Sequence, residues 1–230
     1  MLYLVATPIG NLKDITLRAL EVLKSVDLIA CEDTRTTQKL LSAYDIKKPL
    51  LSYYDHNERI RAGEILERLK GGKDVALVSD AGTPVLQDPG FFLVRGAIRE
   101  GVPFTVIPGA TSVTTALVLS GLPPDRFVFE GYLPPKTGQR QRKLRRLSSE
   151  TRTIIFLETP HRLLSSLKDI QEVLGDIDLV VVREMTKKFE EVVRKKVSEQ
   201  IQHFSAKTVR GEFVILFNLN EAETYEVKAT

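Results

Sequence analysis

The stretch VALVSDAGTPVLQDPG, residues 75–90, begins as an apolar strand and breaks into a loop with two aspartates, two glycines and two prolines. Five residues of strand followed by Gly82, Pro84, Pro89 and Gly90 place Asp80, Thr83 and Asp88 at the carboxyl end of a parallel sheet. That is where open α/β folds bind ligands. Polar turn residues also serve strand ends for purely structural reasons, so the loop alone leaves both readings open.

Outward from this loop, strand-like and helix-like segments alternate, which predicts an α/β fold. Residues 2–6 form a strand, and a helix follows Asp14 with Ile15, Ala19, Leu20 and Leu23 on its apolar face. LIAC at 28–31 is the second strand, 34–44 a helix, and PLLSYY at 49–54 the third strand. Asn57 caps a helix whose Ala62, Ile65, Leu66 and Leu69 keep helical spacing until Gly71 and Gly72 end it. Asp88 and Pro89 read as N-cap and first residue of a helix running to Glu100; FTVIP is a fifth strand, followed by a helix over 111–120. Five such units predict a mainly parallel N-terminal sheet. The segment 120–138, with four prolines and three glycines, sets the domain junction near 122–125, giving domains 1–122 and 123–230. The second is expected to hold a smaller mixed sheet with strands at 127–130, 153–157, 179–183, 191–195 and 212–219 and a helix at 160–174. Its two closing strands, joined by a short helix near 198–204, read as an antiparallel pair.

The 230 residues, 43% hydrophobic and 27% charged, fit a soluble globular protein. No run approaches the roughly 18 apolar residues of a membrane span, and the N-terminus lacks the features of a secretory signal. A cytoplasmic location is expected, with no membrane partner. Cys31 is single, and His56, His161 and His203 lie far apart, so no metal is expected. The net charge of +3 is small, but residues 136–152 hold seven basic residues against Glu150. A helix over 139–149 puts Arg142, Arg145 and Arg146 on one face suited to phosphates, or simply to solvent.

Fingerprints of nicotinamide enzymes, P-loop NTPases and α/β-hydrolases are absent. What remains is a set of turns after strands: TPIGN (7–11), CEDTR (31–35), DHNE (55–58), SDAGTPVLQDP (79–89) and PGATS (108–112). In a parallel sheet all five open on one edge. Pro8 fixes its φ, and Gly10 permits close approach to the backbone. Paired acids with a cation suit general acid–base chemistry, because neighbouring charges move a pKa by whole units. They equally suit helix caps, with Thr34 and Asn57 capping and Arg35 pairing with Glu32. In the second domain, FLETPHR (156–162) carries Glu158 and Arg162, and a later strand end carries Arg183, Glu184 and Lys187. Such charges are expected to form ion pairs holding two domains together.

Nine motifs in order, TPIGNLKDIT, ACEDTR, DHNE, LVSDAGTPVLQDPG, PGATS, GLPPDRFVFEGYLP, FLETPHR, VREMTKKFEE and GEFVIL, resemble the small-subunit ribosomal RNA cytidine 2'-O-methyltransferases of the tetrapyrrole methylase superfamily. The resemblance runs from residue 2 to about 219. It implies S-adenosylmethionine in a cleft between two α/β domains, a homodimer, and methyl transfer to a ribose 2'-hydroxyl in 16S RNA, free or within the 30S subunit. Carried over residue by residue, the cofactor contacts are Pro8, Ile9, Gly10, Asp80, Gly82, Thr83, Leu86, Ser112, Val113, Leu157 and Glu212. On this resemblance Asp33 or His56 is the general base, Glu32 supports it, and Arg35 or Arg183 holds a phosphate. Longer relatives continue past GEFVIL into a helical extension, whereas this sequence has a polar tail; RNA contact is then expected from the 136–152 segment. Sister enzymes of the fold methylate a tetrapyrrole carbon or a modified histidine, and a non-catalytic RNA-binding protein is a further alternative; EDTR, DHNE and REMTKKFEE favour the RNA enzyme.

Overall fold

The computed structural model describes residues 1–206 and 208–220, so the polar tail at 221–230 lies outside the described residues. The chain divides into two compact units, Met1–Thr111 and Ser112–Thr230. Among the described residues no helix is long and apolar enough to cross a membrane.

In the first unit, β1 (Leu2–Val5), β2 (Leu28–Cys31), β3 (Leu50–Ser52), β4 (Val75–Val78) and β5 (Phe104–Ile107) are all parallel, in the order β3-β2-β4-β1-β5. Every residue of β2 and β4 is buried because helices cover both faces. Val75 and Leu77 pack with Ile65 and Leu66 of α3 (Glu58–Lys70) and Leu93 of α4 (Phe91–Arg99). Ala76 and Val78 face the other way, toward Ala19 and Leu23 of α1 (Leu17–Ser25) and Leu41 of α2 (Thr34–Ala43). Each large side chain so buried contributes about 1.5–3 kcal/mol before entropy is counted.

Local capping differs from expectation in three places. Asp33, not Thr34, caps α2, because Asp33 is the extended residue (φ −107°, ψ 111°) and its carboxylate accepts the Arg35 N–H. Asn57 precedes α3 but its side chain is engaged by the Tyr54 N–H and the Ser52 carbonyl instead. Asp88 and Pro89 stay in the loop, and α4 starts after Gly90, whose φ of 141° only glycine adopts readily. A Cβ on Gly90 would lie 2.7 Å from Val85 Cγ2 and 2.9 Å from Leu77 Cδ2.

The second unit holds α5 (Ser112–Ser120), β6 (Phe127–Tyr132), α6 (Thr137–Leu147), β7 (Thr153–Glu158), α7 (Leu163–Leu174), β8 (Asp178–Arg183), β9 (Glu191–Lys196), α8 (Val197–Ser205) and β10 (Phe213–Phe217). Its sheet is mixed, in the order β6-β7-β10-β8-β9, with only β6 and β7 parallel. The closing strands therefore do not pair. All five residues of β10 are apolar and buried, which suits the centre, whereas β9 ends in exposed Arg194, Lys195 and Lys196, which suit an edge. The second sheet holds the five strands expected of it, the same number as the first. The helix α5, assigned from sequence to the first domain, packs on β8, β9 and β10, so the division falls before Ser112 rather than near 122–125. On one face of the sheet, Leu144 of α6, Leu167 of α7 and Phe204 of α8 meet Phe156, Val181 and Ile215. The α6–α7 contact includes a buried ion pair, Arg140 with Asp169, whose second carboxylate oxygen accepts from Gln141 Nε2 at 3.0 Å.

Candidate active site

Parallel strands bring the loops after β1, β2, β3, β4 and β5 to a single edge. Four of these loops are hydrogen-bonded together, three of them as follows. The Thr7 N–H donates to the Gly82 carbonyl at 2.8 Å and the Gly82 N–H donates back to Thr7 at 3.1 Å. Thr7 Oγ1 donates to the Ser79 carbonyl at 3.1 Å, and Thr83 Oγ1 donates to the Ala110 carbonyl at 3.4 Å. Gly82 has φ 82°, and a Cβ there would sit 3.4 Å from Ile9 Cγ2. Further along, Val85 and Gln87 hold φ values of 77° and 68°. Conformations of this kind cost about 1–3 kcal/mol each and persist only where the surroundings hold them. Pro8 is half-buried and Ile9 buried, whereas Gly10 and Leu86 are exposed along the same loops.

Carboxylates gather at this edge. The Asp33 N–H donates to Asp80 Oδ1 at 3.1 Å, joining the β2 and β4 loops. Asp33 itself is occupied: Arg35 donates from Nε at 3.1 Å and from Nη2 at 2.8 Å, and these bonds hold the carboxyl down to about 2. Arg35 thus pairs with Asp33 and not, as expected, with Glu32. The neighbouring acids move the other way. Burial first, and then the charge of Glu32, pushes Asp88 up to about 7. Burial followed by the charges of Asp80, Asp55 and Asp33 raises Glu32, and burial raises Asp80 against the Asp33 N–H. Asp88 was legible as a loop residue but not as a shifted one. His56 is exposed on the turn after β3, its ring edge-on to Tyr54 with centroids 6.2 Å apart. Among the described residues no group of three or more His, Cys, Asp or Glu side chains is arranged to hold a metal ion.

In the second unit, Ser112 and Val113 form the first turn of α5, and Leu157 lies near the end of β7. Glu212 accepts from Lys187 Nζ at 2.9 Å, and its N–H donates to Glu184 Oε1 at 3.0 Å. Arg183 Nε donates to the Arg210 carbonyl at 2.7 Å, while Nη1 reaches Glu191 at 3.3 Å. Arg162 pairs with Glu158 at 3.3 Å. These ion pairs therefore lie within one unit, not across two domains as expected, because the strand ends and the following turn already supply opposite charges. On α6, Arg142, Arg145 and Arg146 are exposed, and among the described residues none of the three forms a salt bridge, whereas Lys143 pairs with Glu130 and Arg152 with Glu150.

Comparison with known proteins adds a family. Residues 1–200 match the model of the Tetrapyrrole (Corrin/Porphyrin) Methylases. The chain is 50% identical over 220 residues to the ribosomal RNA small subunit methyltransferase I of Thermotoga maritima, covering 96% of this chain and 99% of that one. It is 46% identical over 216 residues to the protein of the same name from Bacillus subtilis, covering 94% and 74%. Among solved structures, a diphthine synthase superposes with TM-score 0.76 at 16% identity, covering 94% of this chain and 88% of that one. These structural likenesses concern the fold.

The shifted carboxyl has a measurable signature. A carboxyl held at about 7 in the folded chain against an ordinary 3.8 contributes stability that is fully present below 3.8 and lost as pH rises through about 7. Replacing Asp88 with asparagine should flatten stability across that window and leave the variant more stable than wild type at pH 8, by about 1 kcal/mol or more. Urea unfolding at a series of pH values reads this directly; parallel curves for the two proteins would contradict it.

Proposed function

The chain belongs to the tetrapyrrole methylases, among the small-subunit ribosomal RNA methyltransferases I, and on that premise we propose that it transfers the methyl group of S-adenosylmethionine to the ribose 2'-hydroxyl of a cytidine in 16S RNA. The observation that carries the reading is the acidic edge of the first sheet, where burial raises Glu32, Asp80 and Asp88, and the charge of Asp80 adds to the rise of Glu32 and that of Glu32 to the rise of Asp88. Carboxylates crowded in this way suit a cation. When bound, S-adenosylmethionine supplies an electrophilic methyl on a positively charged sulfur. A solved structure of the same fold, the uroporphyrin-III C-methyltransferase of Thermus thermophilus complexed with S-adenosylhomocysteine, superposes at TM-score 0.65 and 20% identity over 95% of this chain and 97% of that one.

Asp80, Gly82, Thr83 and Leu86, with Pro8, Ile9 and Gly10, would hold the cofactor on the first unit, largely through backbone of the bonded loops. Ser112, Val113, Leu157 and Glu212 are proposed as the contacts from the second unit. His56 is proposed as proton acceptor. What supports it over Asp33 is that the Asp33 carboxylate is bound by Arg35 and held at about 2, too weak a base for neutral pH. Glu32 supports the same edge electrostatically. Both arginines already hold an acid, Arg35 on Asp33 and Arg183 on Glu191, and for a phosphate Arg35 is favoured because its side chain is 86% exposed against 19% for Arg183. Arg142, Arg145 and Arg146 are proposed to track the RNA backbone, in free RNA or a 30S subunit. A cytoplasmic homodimer completes the proposal.

The test is incubation of the purified protein with methyl-labelled cofactor and small subunits lacking the modification, followed by nuclease mapping. Label recovered as 2'-O-methylcytidine is the expected result; label on a base, on protein, or nowhere contradicts the reading. In the same assay His56→Ala should slow single-turnover transfer about 100-fold with cofactor affinity unchanged. A rate equal to wild type would remove His56 from the reaction.

A further inference from the structure

Glu58 has no part in the chemistry proposed above, yet the residue is buried, 7% exposed, and sits where two site loops end. It is the last residue of DHNE and the first of α3. Its Oε1 accepts three hydrogen bonds: from the Tyr53 hydroxyl at 3.1 Å, the Gly90 N–H at 2.7 Å and the Phe92 N–H at 3.2 Å. The first N–H groups of a helix need acceptors, and Gly90 at the start of α4 has no side chain to provide one. Glu58 provides it from the neighbouring helix, with its negative charge at the positive end of the α4 dipole. Two further contacts lock α3 to α4. The Arg59 guanidinium lies 4.8 Å from the centre of the Phe92 ring, and a Cβ on Gly96 would come within 2.6 Å of Leu66 Cδ1.

The placement of this oxygen matters for what it joins. The turn before Glu58 carries Asp55 and His56, and the loop that ends at Gly90 carries Asp80, Gly82 and Thr83. That loop is tied at its start to Thr7 and at its end to Glu58, with Val85 and Gln87 in left-handed conformations between the ties. We infer that Glu58 is a positioning residue for methyl transfer, whose single carboxylate oxygen sets the turn bearing His56 against the loop bearing Asp80 and Thr83. The inference rests on the function proposed above, in which the turn serves the nucleophile and the loop serves the cofactor. Displacement of one against the other by about 1 Å is enough to slow a reaction on the order of 100-fold.

The test compares wild type with Glu58→Ala, Glu58→Gln and Glu58→Asp in the labelled-subunit assay, alongside amide hydrogen exchange of the free proteins. Glu58→Ala should lose exchange protection at Gly90 and Phe92 and drop about 100-fold in kcat. Glu58→Gln keeps an acceptor oxygen at the same reach and should recover to within about tenfold of wild type in kcat. Glu58→Asp keeps the charge but is shorter by one methylene, and should resemble the alanine variant in kcat; it also carries the test if Glu58→Ala does not fold. Unchanged exchange in Glu58→Ala, or wild-type kcat despite lost protection, overturns the role. Failure of the glutamine variant to recover overturns it as well, since an acceptor oxygen would then not suffice. An inactive wild type refutes the functional reading and this role together, whereas an active wild type with an equally active Glu58→Ala refutes this role alone.

Discussion

Partial burial of several carboxylates at one sheet edge is the constraint around which the first unit is arranged. The parallel order of its strands delivers Glu32, Asp55, Asp80 and Asp88 to the same side, and each acid is held near others of its kind. Asp33 escapes only because Arg35 binds both of its oxygens. Burial is the largest cause of the rise in Glu32, Asp80 and Asp88 alike, and neighbouring negative charge adds to it. An edge of partly buried carboxylates, each harder to ionise than in water, favours a ligand that carries positive charge.

Such an edge is useful only if its groups stay in place while the charge is unrelieved. The ties between Thr7 and Gly82, Thr83 and Ala110, Asp33 and Asp80, and Glu58 and Gly90 fasten the loops to one another and to the helices behind them. The left-handed Val85 and Gln87 are consistent with a loop whose ends are over-determined. Rigidity set before a ligand arrives lets binding and alignment occur without reorganisation, which is the larger part of catalysis in a transfer between two bound partners.

Much of this was legible in sequence, for identifiable reasons. Alternating apolar runs and helical spacing depend on local burial, so the five parallel strands of the first unit and the five loops on one edge could be read from residues 1–111. Choice of partner is not local. Nothing in FVILF says that β10 inserts between β7 and β8, and nothing in the α5 segment says which sheet it packs against. Capping failed for a related reason: Thr34 and Asp88 are good caps by type, but the extended backbone falls at Asp33, and the φ of Gly90 moves the start of α4. The elevated Asp88 and the anchoring Glu58 both depend on groups distant in sequence, and the positions of those groups emerge only once the sheet is assembled.

The most direct measurement is calorimetric titration of S-adenosylmethionine into wild type and into Asp80→Asn at neutral pH. If the acidic edge binds the positively charged methyl donor, wild type takes up the compound and loss of the Asp80 charge weakens affinity by about tenfold or more. No uptake by wild type, or identical affinity in the two proteins, would contradict the account.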